Sequence, residues 1–240
     1  MELTLVALVA AMVATLAGAA IQGSIGFGMN LVTVPVLALL VPEALPVAVI
    51  LLGLPISVTM LRHERAAVDR AGVMWIICGR LPGSAVGAWV AATVAVETLQ
   101  QLVGVVILCF VIASIAMPPV PVRRGTQVLT GAVSGVTGTA AGIGGPPLAL
   151  LYQHHTGPTM RSTLAASFFV GTFVSMVALG IAGAVGAGPV LLGLVLAPVV
   201  VLGSHFGRRS HAFLARGWLR SAVLVFSAVS AAVVIADSLT

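Results

Sequence analysis

The chain has 240 residues, of which 60% are hydrophobic and 7% are charged, and its mean hydropathy is +1.19. This composition leaves too little polar surface to coat a soluble globule, so it excludes the ordinary soluble classes and indicates a protein embedded in a lipid bilayer. The net charge of +5 comes from arginine without lysine, and since there is no interleaving of basic and aromatic residues, we expect no nucleic-acid partner.

The chain begins with an apolar run that ends in glycine. Residues 3–21 lack the basic start of a secretory signal, so we expect no cleavage. Residues 22–30 are glycine-rich, residues 31–41 are apolar again, and residues 42–46 hold two prolines. This order predicts a helix, a glycine break and a short helix.

Longer apolar segments follow. Residues 47–61 and 99–117 lie on either side of residues 72–95, which exceed the length of about 20 residues needed to span a bilayer. Residues 118–125, rich in proline and arginine, then form the clearest linker. We therefore assign residues 1–117 to a first unit.

Residues 126–240 follow the same plan as the first unit. A predicted helix at 126–140 runs into a second glycine-rich stretch, and a short apolar run ends at Tyr152. A polar loop containing His154, His155 and Arg161 comes next. The remaining apolar runs are 163–180, 189–204 and 218–236.

A constant offset of 116 residues relates the two units. It aligns glycine with glycine and proline with proline at six pairs: Gly26 and Gly142, Gly28 and Gly144, Pro42 and Pro158, Gly72 and Gly188, Pro82 and Pro198, and Gly87 and Gly203. Because the register holds without a gap, it indicates an internal duplication.

Arginine alternates between successive loops. It occurs in the loops at 62–70, 123–124, 161 and 208–216, and it is missing from those at 42–46, 93–98 and 181–188 and from the end of the chain. Since basic loops stay in the cytoplasm, both termini are predicted on the opposite side of the membrane. Equivalent loops of the two units carry opposite charge, which is typical of inverted repeats.

The fold class predicted from these patterns is an all-α polytopic membrane protein with two inverted repeats. The second glycine-containing unit, 126–153, is too short for two crossings, so each repeat is predicted to contain a re-entrant, glycine-tipped helix hairpin and three transmembrane helices. The two tips are expected to meet near the midplane of the bilayer.

The glycine tips favour an anion. Short helices that begin at the tips present free N–H groups and the positive end of the helix dipole, and glycine lets a ligand approach the backbone closely. Side chains near the tips, including Thr137, add hydrogen-bond donors. The candidate substrate-binding residues are Gln22, Ser24, Gly26, Gly28, Met29, Asn30, Arg80, Thr139, Gly142, Gly144 and Gly145. The competing interpretation is that the glycines only permit close helix packing.

Arg80 is the one arginine outside the predicted loops. A charge at that depth either faces a cavity, where it would attract an anion, or extends to the cytoplasmic rim. No acidic residue falls in the middle of a predicted span, so proton coupling through a buried carboxylate is not supported. The histidines at 154, 155 and 205 are interpreted as surface residues.

The two cysteines and the small residues have simpler interpretations. Cys78 and Cys109 lie in apolar runs without metal-ligand spacing and are predicted to be buried free thiols. We expect neither a metal nor a cofactor. Small residues on several helices would permit a homodimer, although they serve internal packing equally well.

Both glycine stretches resemble the signatures of the TauE/SafE family of bacterial sulfite exporters and sulfonate permeases. The match is carried by residues 23–28 with Pro35, and by Gly138 and residues 142–147 with Tyr152. Phe27, Met29 and Asn30 depart from the glycine-rich variant common in the family. The resemblance implies transport of a small sulfur-containing oxyanion, such as sulfite or a sulfonate, across a bacterial inner membrane.

The predicted function is therefore a secondary transporter that works by alternating access. A passive anion channel and a structural membrane subunit remain as alternatives. A membrane enzyme is not indicated, because the sequence offers no nucleophile with a base at helical spacing and no metal-ligand cluster.

Overall fold

The computed structural model describes residues 4–116, 118, 120–155, 157–209 and 218–238, and the regular structure within these ranges is entirely helical. Two 3₁₀ turns, Pro42–Ala44 and Arg65–Ala67, accompany the α-helices. These helices are α1 (Leu5–Ile25), α2 (Met29–Leu40), α3 (Val47–Glu64), α4 (Arg70–Thr93), α5 (Val96–Ala116), α6 (Arg124–Ala140), α7 (Gly145–Tyr152), α8 (Gly157–Ile181), α9 (Ala187–Arg209) and α10 (Trp218–Asp237).

Six of the described helices are long and apolar enough to cross a bilayer: α1, α3, α4, α5, α8 and α9. Their outward faces are apolar, as solvation by lipid requires; Trp89 on α4 and Ile181 on α8 are 65% and 85% exposed. The prediction of an all-α polytopic membrane protein is confirmed.

Both glycine stretches form breaks between a longer and a shorter helix, as predicted. The 21 residues of α1 are followed by the 12 of α2, and the 17 of α6 by the 8 of α7. We call these pairs hairpin 1 and hairpin 2. Helix α1 continues to Ile25, beyond the predicted end at residue 21, and at about 1.5 Å per residue it is long enough to cross the hydrocarbon alone.

The contacts between helices are repeated when each helix is replaced by its counterpart 116 residues away. Helix α4 lies along α6, and its counterpart α9 lies along α1, while the equivalent helices α3 and α8 pack against each other. Helix α3 also contacts α9, as α8 contacts α4. Helices α5 and α10, which are also counterparts under the offset, pack against each other.

Glycine allows α4 and α6 to approach until their backbones touch. A methyl group on Gly79 or Gly83 of α4 would overlap the backbone of α6, and one on Gly131 or Gly135 of α6 would overlap that of α4. Small residues on both partners are the usual means of close helix association in membranes. These four glycines, which lie outside the two tips, therefore serve close helix packing.

Three of the arginine-containing segments, at 62–70, 161 and 208–209, contact one another. Arg161 at the start of α8 forms a bidentate ion pair with Glu64 at the end of α3, and Arg208 near the end of α9 contacts His63. The charge alternation had predicted that these loops share a side. Arg216, which belongs to the same predicted loop as Arg208, lies outside the described residues.

The thiols and imidazoles lie at the surface. Cys78 and Cys109 are free but exposed, so the prediction that they are buried is wrong. His154, His155 and His205 are exposed, as predicted.

Candidate functional site

A cavity of about 50 Å³ lies between the two hairpins, with α3, α4 and α8 completing its walls. One water needs roughly 10–15 Å³ of such space, so the cavity holds a few waters or one small polyatomic ion. Eight of the predicted site residues line it: Gln22, Gly28, Met29, Asn30, Arg80, Gly142, Gly144 and Gly145.

The tip of hairpin 1 is held by its own side chains. Gly28 has a φ of 113°, a left-handed conformation that favours glycine. The Met29 N–H at the start of α2 donates to Gln22 Oε1 over 3.1 Å. Gln22 thus acts as a helix cap, and this N–H, predicted to be free, already has a partner.

Asn30 joins the two tips. Its Nδ2 donates to the Gly142 carbonyl oxygen over 2.5 Å, and this glycine has a φ of 73°. The Asn30 Oδ1 is buried without a partner among the described residues. The side chain therefore fixes the spacing of the hairpins and leaves one acceptor at the site.

The tip of hairpin 2 is held by hydroxyl groups of α6. Ser134 donates to the Gly144 carbonyl oxygen over 2.6 Å, and Thr137 donates to the Ile143 carbonyl oxygen over 2.8 Å. Helix α7 then begins at Gly145, and Pro146 at its second position has no N–H that would be left unpaired. These bonds turn two tip carbonyls toward hydroxyl partners, so hairpin 2 offers less negative potential to a bound ion.

Arg80 lies in the cavity wall, about 15 Å along α4 from its start at Arg70. Its side chain is 5% exposed, and its Nη1 donates to Ser134 Oγ over 3.0 Å. A methyl group on Gly171 would overlap the guanidinium, so this glycine provides the space that the guanidinium occupies. Of the two orientations considered for Arg80, the structure has the one that faces the cavity.

The charge of Arg80 has no described counter-ion. Its Nε is buried without a hydrogen-bond partner, no described carboxylate pairs with it, and the other lining residues are not ionisable. Burying a charge is costly unless it is paired. The cavity is therefore a small site with one positive charge, the donors of Arg80 and one free acceptor on Asn30, and its charge and size suit a small anion.

Three predicted site residues lie away from the cavity. Ser24 donates to the Gly207 carbonyl oxygen over 2.6 Å and so joins α1 to α9. Thr139 shares a 2.8 Å hydrogen bond with Ser175 on α8, and Gly26 packs against the side chain of Arg161. Because α1 and α6 continue to Ile25 and Ala140, the helical phase turns Ser24 and Thr139 toward neighbouring helices.

Sequence reasoning missed several residues of the site. Ser134 precedes Gly138 by one helical turn, which could have placed it on the same face of α6. Phe168 and Thr172 of α8 also line the cavity. These two residues are distant from the glycine stretches in the chain, and no local pattern indicates that α8 folds beside them.

One comparison with known proteins gave a match. A family model described as sulfite exporter TauE/SafE matches residues 10–234. Neither the curated proteins nor the solved structures gave a match. The family match spans both hairpins and every helix that contributes to the cavity.

Proposed function

The chain belongs to the sulfite exporter TauE/SafE family, and we propose that it is a secondary transporter that binds a small sulfur-containing oxyanion between its two hairpins. Family membership supports a membrane transporter of sulfur anions. The residues proposed to bind the anion are those that line the cavity, with Arg80 as the main attraction.

The observation that carries this proposal is the buried, uncompensated guanidinium of Arg80. An arginine near the middle of a span is costly and usually functional. Ser134 leaves the remaining N–H groups of Arg80 available, and a planar guanidinium suits two oxygen atoms of one anion. The start of α7, which Ser134 joins to Arg80 through the Gly144 carbonyl oxygen, contributes the positive end of its helix dipole.

The volume of the cavity limits the size of the substrate. At about 50 Å³ it suits sulfite or a comparably small oxyanion, whereas drug-sized ligands occupy pockets of roughly 300–1,000 Å³. An aryl sulfonate would need the walls to move apart. Sulfite is therefore the first substrate to test.

The exchange of helix contacts under the 116-residue offset supports two inverted repeats. Hairpin 2, whose two helices have 17 and 8 residues, fits a re-entrant element, since two crossings need about 40 residues. We place the arginine-rich end of the bundle in the cytoplasm of a bacterium and both termini on the periplasmic side of its inner membrane.

The proposed site is tested by thermal unfolding of the detergent-purified protein with sulfite, sulfate, thiosulfate, methanesulfonate, acetate and sodium chloride. A ligand that binds only the folded protein raises its melting temperature. We expect sulfite to raise the melting temperature. Ser134→Ala should lower the affinity for sulfite about tenfold, because the substitution removes the hydrogen bond that Ser134 makes with the charged side chain of Arg80. The control is Ser204→Ala, whose hydroxyl bonds only within α9.

A rise in melting temperature with sodium chloride but not with sulfite would contradict the proposed site. Equal rises with sulfite in Ser134→Ala and Ser204→Ala would contradict it as well. Transport is measured separately as uptake of labelled sulfite into proteoliposomes. Accumulation against a gradient, driven by an imposed ion gradient, distinguishes a secondary transporter from a passive channel.

A further inference from the structure

We propose that the protein is an anion exchanger. With an anion bound, the site changes readily from opening on one side of the membrane to opening on the other, and when it is empty it does so slowly. This inference rests on the proposed function and adds its mode of operation. It follows from the surroundings of one charge, that of Arg80.

The protein neutralises this charge very little. Ser134 accepts one hydrogen bond from Nη1, the backbone at Gly171 packs against the guanidinium, and Nε has no partner. A hydroxyl group and a glycine backbone carry no formal charge. Within the described part of the chain, no carboxylate lies close enough to pair with Arg80.

An alternating-access cycle passes through a state in which the site is closed to both sides. A bound anion then supplies the missing countercharge, and the closed site encloses an ion pair. Without the anion, closure removes water from a bare cation, and desolvation of an unpaired ion is far more costly than that of a paired one. The barrier for the empty site is therefore the higher of the two.

The exchange involves one anion at a time. The position that the 116-residue offset assigns to Arg80 in the second half is Leu196, which is completely buried. The cavity lining contains no second ionisable side chain. One cation provides one binding site, so an anion must leave before another can return.

The test is a comparison of uptake rates in proteoliposomes that contain the purified full-length chain. Labelled sulfite is added outside, and the lumen holds either unlabelled sulfite or an impermeant buffer of equal ionic strength. Valinomycin with equal potassium on both sides clamps the membrane potential, so that charge accumulation cannot imitate exchange. We expect initial uptake to be about tenfold faster or more with sulfite inside, because each 1.36 kcal/mol of barrier is a factor of ten in rate.

Two variants link the effect to the charge. Arg80→Gln removes the cation and should bring the ratio of the two rates close to one, whatever the absolute rate. Arg124→Gln changes an exposed arginine that stacks on Trp75 and should leave the ratio unchanged.

The outcomes separate this inference from the proposed function. Equal uptake rates in both kinds of vesicle would overturn the exchange and leave transport standing. A high ratio that persists in Arg80→Gln would overturn the role of the charge. Absence of sulfite uptake in both kinds of vesicle would overturn the proposed function and sulfite exchange with it.

Discussion

Helix α4 packs along α6 as α9 packs along α1, yet the two interfaces differ in chemistry. The first contains Arg80 and Ser134, both buried. The 116-residue offset pairs these residues with Leu196 and Gly18 in the second interface. The first interface therefore has a charge where the second has the apolar Leu196, and a hydroxyl group where the second has Gly18.

The difference shows that the two interfaces share their backbone arrangement more closely than their side chains. Close helix contact requires glycine on both sides of the pseudo-symmetry: a methyl group on Gly83 would overlap α6, and one on Gly203 would overlap α1. A single cation suffices to hold one anion, and a second buried charge would only add a desolvation cost. In these two interfaces the shared glycines serve packing, and the unshared Arg80 and Ser134 belong to the candidate site.

The largest effect is expected from Arg80→Leu, which makes the first interface resemble the second. Loss of one partner of a buried charge pair costs about 2–5 kcal/mol of binding, so sulfite affinity should fall at least about 30-fold. Stability should not fall, because the substitution removes an unpaired buried charge. The measurement is sulfite titration followed by thermal unfolding, with Arg124→Leu as the control.

A well-folded Arg80→Leu protein that binds sulfite normally would show that the charge is not the binding determinant. The two interfaces would then be equivalent in function as well as in packing.

The next effect concerns the space for the guanidinium on α8. Gly171→Ala places a methyl group where the guanidinium lies and should displace it, lowering sulfite affinity about tenfold. Gly180→Ala on the same helix meets nothing within 4 Å and should bind sulfite as the natural protein does. Equal affinities in a direct binding assay would contradict the positioning of Arg80 by Gly171.

The glycine contacts should be equally important in both interfaces. Gly83→Ala and Gly203→Ala each force a methyl group against a backbone carbonyl and should cost about 1–3 kcal/mol of stability. Gly125→Ala has no atom within 4 Å of the new methyl group and should change stability by no more than about 0.5 kcal/mol. Thermal unfolding measures all three, and a loss in only one interface would argue against the pseudo-symmetry.

The smallest effects are expected at Ser24 and Thr139. Each hydroxyl joins two helices away from the cavity, so alanine at either position should cost about 1 kcal/mol of stability and leave sulfite affinity unchanged. A variant with unchanged stability but reduced sulfite affinity would show that its hydroxyl group contributes to the site.

Much of the fold could be predicted because its signals are local. Hydrophobic runs and glycine breaks predict the long helices and both hairpins to within about six residues, the largest difference being the start of α8 at Gly157 instead of residue 163. The depth of Arg80 along its helix marks it as a candidate. The residues at 24 and 139 were assigned to the site because they lie beside glycine in the sequence. Their direction depends on where each helix ends, and the composition of the glycine stretches does not determine that point.

The rest of the site depends on contacts between distant segments. Gly171 and Thr172 lie in an ordinary apolar run, and only the packing of α8 against α3 and α4 brings them to the cavity. Ser134 is one of several hydroxyl residues on α6, and its role is apparent only from its bonds to Arg80 and Gly144.

The glycine-lined contact between α4 and α6 also determines which parts of the molecule can move together. Helix α4 lies in the first half of the sequence, but its backbone touches that of α6 in the second half, and α9 touches α1 in the same way. A rocking motion of one sequence half against the other would have to pull both contacts apart. We therefore expect α4 to move with hairpin 2 and α9 with hairpin 1 in any such motion, each together with one tip of the cavity.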